Sequence, residues 1–73
     1  MTDRPARYEL LVKGVLDDYW SDWFEGFRLR RDQEADTTAL VGVVADQAAL
    51  HGVLVKIRDA VLPLLGVRRL DPD

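Results

Sequence analysis

The chain has 73 residues, 48% of them hydrophobic and 32% charged, with no cysteine, one histidine and a formal net charge of −3 at pH 7. That length gives a single domain over residues 1–73, with a composition too apolar for a disordered chain. The lack of cysteine excludes disulfides and thiolate metal sites, one histidine excludes an imidazole zinc cluster within one chain, and the acidic total argues against non-specific nucleic-acid binding.

Residues 1–6 read as a frayed polar start without the apolar core of a signal peptide. Strand-like alternation begins at Arg7. Tyr8, Leu10, Val12 and Leu16 form a clean apolar face, and Arg7, Glu9, Leu11, Lys13 and Val15 a mixed one, with Gly14 breaking the run. At Asp17 the period changes. Leu16, Tyr19, Trp20, Trp23, Phe24 and Phe27 share one face of a short helix of about two turns, capped by Asp17 and stopped near Gly26. The rival reading makes residues 17–25 an irregular loop. From Gly26 to Asp32 the chain alternates again, with Phe27, Leu29 and Arg31 on one side and Arg28, Arg30 and Asp32 on the other. A polar turn, Gln33 to Asp36, leads into Thr37–Val44, which is apolar on both sides, and the two runs together read as an antiparallel hairpin. Asp46 then opens the strongest element. Gln47 to Leu62 carries Leu50, Val53, Leu54, Ile57 and Val61 on one stripe, and Pro63 ends it. Gly52, in the middle of that helix, costs up to about 1 kcal/mol against alanine. Leu64 to Leu70 forms a last strand, with Leu65 and Val67 set against Gly66 and Arg68, before a frayed tail over residues 71–73.

The element order β-α-β-β-α-β predicts an α+β fold: a ferredoxin-like sandwich with a four-stranded antiparallel sheet, a short first helix and a longer second one. In its usual strand order, 4-1-3-2, the two most apolar runs are central and the arginine-bearing runs lie at the edges, where charge guards against unwanted pairing. Helices cover one face of such a sheet. The open face is expected to carry Leu11, Val15, Val41 and Val43 as a contiguous apolar patch, which predicts a homodimer through that face. Small domains without disulfides or metals commonly rely on oligomerisation.

No catalytic, nucleotide or metal motif stands out. His51, at the edge of the helix stripe near Arg58, could act as a general acid or base with Tyr19 at the rim of a pocket; the structural reading is a boundary histidine packed on one side. Trp20 and Trp23 could wall an apolar ligand pocket or simply build core for a short helix. Asp17, Asp18, Asp22 and Glu25 lack the spacing of a calcium loop and read as a solvated helix face, so neither metal nor cofactor is expected. Arg28, Arg30, Arg68 and Arg69 could contact nucleic acid, but Phe27 points away from Arg28 and Arg30, and the stacking platform of single-strand binders is missing. No run approaches the ~18 apolar residues of a membrane span.

The segment Asp46-Gln-Ala-Ala-Leu-His-Gly52, with Lys56-Ile-Arg-Asp59, Leu62-Pro-Leu-Leu65, Val67-Arg68 and the upstream Trp20-Ser-Asp-Trp-Phe24, resembles a group of short uncharacterised bacterial proteins, mainly actinobacterial. The resemblance implies a bacterial cytoplasmic protein and supplies no activity. The functions in contention are a small dimeric interaction or ligand-sensing module, a cofactor-independent enzyme using a pocket near His51, and a nucleic-acid binder.

Overall fold

The computed structural model describes residues 4–70. They form an α+β fold, a four-stranded antiparallel open sheet with two helices. In chain order the elements are β1 (Ala6–Lys13), α1 (Tyr19–Trp23), β2 (Arg28–Asp32), β3 (Thr37–Val44), α2 (Gln47–Asp59) and β4 (Leu64–Arg69). The strands lie in the order β2-β3-β1-β4, so the two most apolar runs are interior and the arginine-bearing runs are the edges.

Register decides which residues face the helices. Leu10 sits opposite Leu40, which sits opposite Leu29, and Leu10 faces Val67 on its other side. Leu10 and Leu40 of this row form the core with Val12, Leu16, Phe24 and Ile57, and Leu29, Trp20, Phe27, Leu50, Val53 and Leu54 pack partly buried against it, while Val67 at the β4 edge stays exposed. Both helices therefore cover the same face. Alternation along β1 and β3 is enough to produce this, because successive side chains point to opposite faces. Ala6 belongs to β1, opposite Val44, and is buried. The strand thus begins at Ala6, one residue before the alternation expected from Arg7; residues 1–3 of the expected frayed start and the expected tail, 71–73, lie outside the described residues.

Three local expectations need correction. Strand β1 stops at Lys13, because Gly14 turns the chain with φ +100°, so Val15 belongs to a loop and not to the strand. The first helix shrinks to the five residues of α1, one turn and a half at the 3.6-residue repeat. Asp17 does not cap it in the ordinary way; its carboxylate accepts the Tyr19 N–H at 3.1 Å, as in an Asx turn. So short a helix has no independent stability. It is held by Phe24, fully buried, and by Trp20, whose ring stacks on Phe24 at 6.0 Å between centroids.

The third correction concerns the end of α2. Asp46 caps the helix as expected, accepting the Ala49 N–H at 2.8 Å. The helix stops at Asp59 rather than Leu62. Leu62 N–H bonds the Ile57 carbonyl and Val61 N–H the Arg58 carbonyl, the pair of bonds that defines a Schellman end. Val61 occupies the left-handed position of that motif, at φ +59°, and is 85% exposed. It therefore leaves the core stripe to which its spacing assigned it, while Ile57 is the stripe's buried centre. After Pro63, β4 carries a bulge against Leu11 and Val12. Gly66 faces Leu11 and Leu64 faces Val12, leaving Leu65 as the extra residue, so Leu64 rather than Leu65 shares a face with Val67.

Candidate functional site

The face of the sheet away from the helices has no element over it. Its centre is an apolar row from the interior strands: Leu11 opposite Ala39, then Val41 and Val43. Ala39 is buried, Leu11 and Val41 are half-buried, and Val43 is 61% exposed. Charges frame this row. Register places Arg7 and Lys13 of β1, Arg28 and Arg30 of β2 and Arg68 of β4 on the same face, with Glu9 and Asp32 the opposing carboxylates. Among the strand residues of this face five cations stand against two carboxylates, and the β2–β3 turn adds Asp36, 3.5 Å from Lys13, and Glu34 beside Arg30, which leaves a small positive excess in a chain whose total is −3.

Glu9 is the hinge of this surface. Its side chain is only 17% exposed and lies between two edge arginines, with Arg68 Nη2 at 3.1 Å and Arg30 Nη1 at 3.9 Å. Arg68 is its direct cross-strand neighbour, and Arg30 reaches it diagonally across β3. The pairing ties both edges to the centre. Two shallow concavities result. One, of about 520 Å³, has Arg7, Arg28 and Arg30 around Val41 and Val43. The other, of about 460 Å³, includes Glu9, Leu11, Arg30 and Ala39. Among the described residues Arg28 makes no ion pair.

Of the four expected patch residues, Leu11, Val41 and Val43 share this face, whereas Val15 sits in the loop beyond Gly14 and is 38% exposed. The arginines split. Arg28, Arg30 and Arg68 lie on the open face, but Arg69 is opposite Tyr8 on the helix side. Both tyrosines, both tryptophans and both phenylalanines lie off the open face or outside the strands that build it, so it offers no ring on which a base could stack.

The residues considered for chemistry do not line either concavity. His51 is exposed on α2, its side chain without a hydrogen bond or ion pair among the described residues. The guanidinium of Arg58 turns to its neighbour Asp59 at 3.4 Å, and Tyr19 is 69% exposed beside Trp20. Trp20 packs against the core and Trp23 lies at the surface. A groove of about 240 Å³ beside α2 is lined instead by Phe24, Glu25, Phe27, Gly52, Val53 and Lys56. Asp17 and Asp18 serve the chain itself, through the Asx turn and a 2.9 Å ion pair to Arg31, and no metal-holding group of carboxylates or histidine occurs among the described residues.

Two residues that the sequence pattern did not single out organise the loop between β1 and α1. Thr38, fully buried on β3, accepts the Leu16 N–H at 3.0 Å and donates its hydroxyl to the Gly14 carbonyl at 2.7 Å. Arg31 Nε donates to the Leu16 carbonyl. A threonine and an arginine on the helix-facing side of a hairpin were the available signal, since buried polar groups need partners.

The chain matches the family model described as Domain of unknown function (DUF8691) over residues 7–68. It belongs to that family. The matched span runs from the second residue of β1 to Arg68, the last but one of β4, and so takes in all of the sheet except Ala6 and Arg69. No curated protein and no solved structure matches it. Among the described residues no helix is long and apolar enough to cross a membrane.

Proposed function

We propose that this DUF8691 chain is a non-enzymatic interaction module of ferredoxin-like build, working in the bacterial cytoplasm through the uncovered face of its sheet. The β-α-β-β-α-β order, and the strand series that read from the β4 edge runs 4-1-3-2, support that build. The observation that carries the function is the apolar row Leu11, Val41 and Val43 inside a ring of cations, on a face nothing covers.

That ring also selects the partner. A second copy placed face to face would set the arginines of this cation-rich face against the same array, and like charges brought together oppose binding. The complementary occupant is a protein surface or peptide with an apolar centre and acidic surroundings. Arg7, Arg28, Arg30 and Arg68 supply the planar, bidentate donors that suit carboxylates.

Titration of an isotope-labelled chain with a glutamate- and leucine-rich peptide, followed by amide chemical shifts, tests this. Shifts centred on Arg7, Arg28, Val41 and Val43, weakened at 0.5 M salt and abolished by Arg28→Glu, are expected. Shifts scattered over both faces, or none at millimolar peptide, would sink the proposal. Tighter binding of single-stranded RNA at the same residues would replace the acidic protein with a nucleic acid as partner.

A further inference from the structure

The two edges of the sheet are built differently. β2 reads Arg28-Leu-Arg-Arg-Asp32, with a charge at every position but one. Charged side chains along an edge are how proteins prevent strand-to-strand association. β4 reads Leu64-Leu-Gly-Val-Arg-Arg69, and its first four residues carry no charge at all. Leu64, Leu65 and Val67 are all exposed, at 42, 52 and 45%, and exposed Val61 precedes them. One seven-residue stretch of chain thus supplies half of the exposed large hydrophobic side chains among the described residues. It does so beside a row of backbone donors and acceptors that pair with β1 on one side only.

We propose that β4 pairs antiparallel with β4 of a second copy, joining two sheets into one of eight strands. Self-pairing suits this strand in particular. Centred on Val67, the two-fold sets Val67 against the partner's Val67, Arg68 against the partner's Gly66 and Arg69 against the partner's Leu65. No arginine then opposes an arginine, and Arg68 keeps Glu9 as its ion partner within its own copy. Along β2 a comparable two-fold centred on Arg30 would set Arg30 against its own image.

The assembly has a consequence for the open face. The two-fold that relates antiparallel neighbours in a sheet is perpendicular to it, so both open faces lie on the same side. Eight strands spaced about 4.8 Å apart make a platform roughly 34 Å wide between outer strands, with both cationic arrays turned to one partner. The dimer therefore leaves the surface of the proposed function free and doubles it, which favours bivalent binding.

A six-residue strand pair with its side chains is small beside standard interfaces of about 1,200–2,000 Å², so dissociation on the order of 10–100 µM is expected. Light scattering on the full chain after size exclusion, from 1 to 500 µM, tests this directly. The mass should rise from 8.3 kDa towards twice that value. Leu65→Lys should hold the chain at monomer mass throughout, with its urea melt confirming that it is folded. Val43→Lys, on the open face, should dimerise as the parent does. Amides of β4 should exchange more slowly at 500 µM than at 1 µM. A monomer at 500 µM would overturn the inference. So would a dimer that Leu65→Lys leaves intact and Val43→Lys breaks, since that result places the seam on the sheet face. Peptide binding by monomeric Leu65→Lys keeps the two proposals separable: its loss would count against the open-face reading, and its survival with lower avidity agrees with both.

Discussion

Thr38→Val removes one hydroxyl and almost no volume, which makes it a clean test of how the β1–α1 loop is held. The replaced oxygen accepts the Leu16 N–H and donates to the Gly14 carbonyl. Each of those bonds contributes about 1 kcal/mol net, and leaving a buried donor without a partner costs about 1–3 kcal/mol more. Leu16 is buried, so its N–H has no water to turn to, whereas Gly14 is half-buried and its carbonyl can be hydrated. The expected loss is therefore about 2–4 kcal/mol, a large fraction of the stability of so small a domain. At about 4–8 °C per kcal/mol the midpoint should fall by about 10 °C or more. Urea and thermal melts followed by tryptophan fluorescence report it, because Trp20 stacks on Phe24 next to this loop. Thr37→Val is the control. It makes the same chemical change on the half-buried open face and should stay within about 0.5 kcal/mol of the parent. If Thr38→Val is equally neutral, the hydroxyl does not hold the loop and the reasoning fails.

Val61→Gly should stabilise the chain by about 1 kcal/mol: a β-branched residue in the left-handed region is strained by about 1–2 kcal/mol, and the side chain being lost is almost fully exposed. The gain should appear as a higher urea midpoint with an unchanged slope. Gly52→Ala should also stabilise, by about 0.5–1 kcal/mol, because a Cβ there meets open space in a helix interior. Gly42→Ala should do the reverse and cost about 1–3 kcal/mol, since its Cβ would come within 2.8 Å of the Gly26 carbonyl and of the Phe27 ring. Parallel urea melts of the two glycine variants should therefore shift in opposite directions.

The glycines show where sequence reading stops. Gly42 and Gly52 look alike as glycines inside regular elements, and only the packing of the Phe27 loop onto β3 separates them. The strands were legible because a period of two needs no tertiary knowledge; β3 runs over the same residues that its alternation marks. The start of α2 was legible for a similar reason, since an aspartate cap acts within four residues. Its end was not. A chain that satisfies its last carbonyls through a Schellman turn can do so before its apolar stripe is exhausted, and Val61 is left outside. The bulge at Leu65 was equally invisible, being a property of how β4 meets β1 rather than of β4 itself. The open face was half legible. Its apolar row follows from alternation, but its charge does not, because Arg30 and Arg68 meet Glu9 only after strands 38 residues apart in sequence are laid on either side of the centre.

That distribution of charge constrains function more than any single residue does. Among the described residues nine apolar residues and Thr38 are buried, and no buried side-chain polar atom lacks a partner. Outside, the helical side disperses its carboxylates along loops and short turns, and Asp17 and Asp18 are spent on the chain's own bonds. The sheet side instead gathers its cations by register around an apolar centre and fixes two of them through one half-buried glutamate. Neutralising that glutamate should therefore do more to the surface than to the fold. Glu9→Gln keeps the shape, removes the charge that pairs with Arg30 and Arg68, and raises the positive excess of the face. If the face exists to meet acidic partners, the variant should bind the acidic peptide at least as tightly as the parent at low salt and lose that advantage at 0.5 M, where charge is screened. A surface whose arginines serve only to balance Glu9 would show no such dependence.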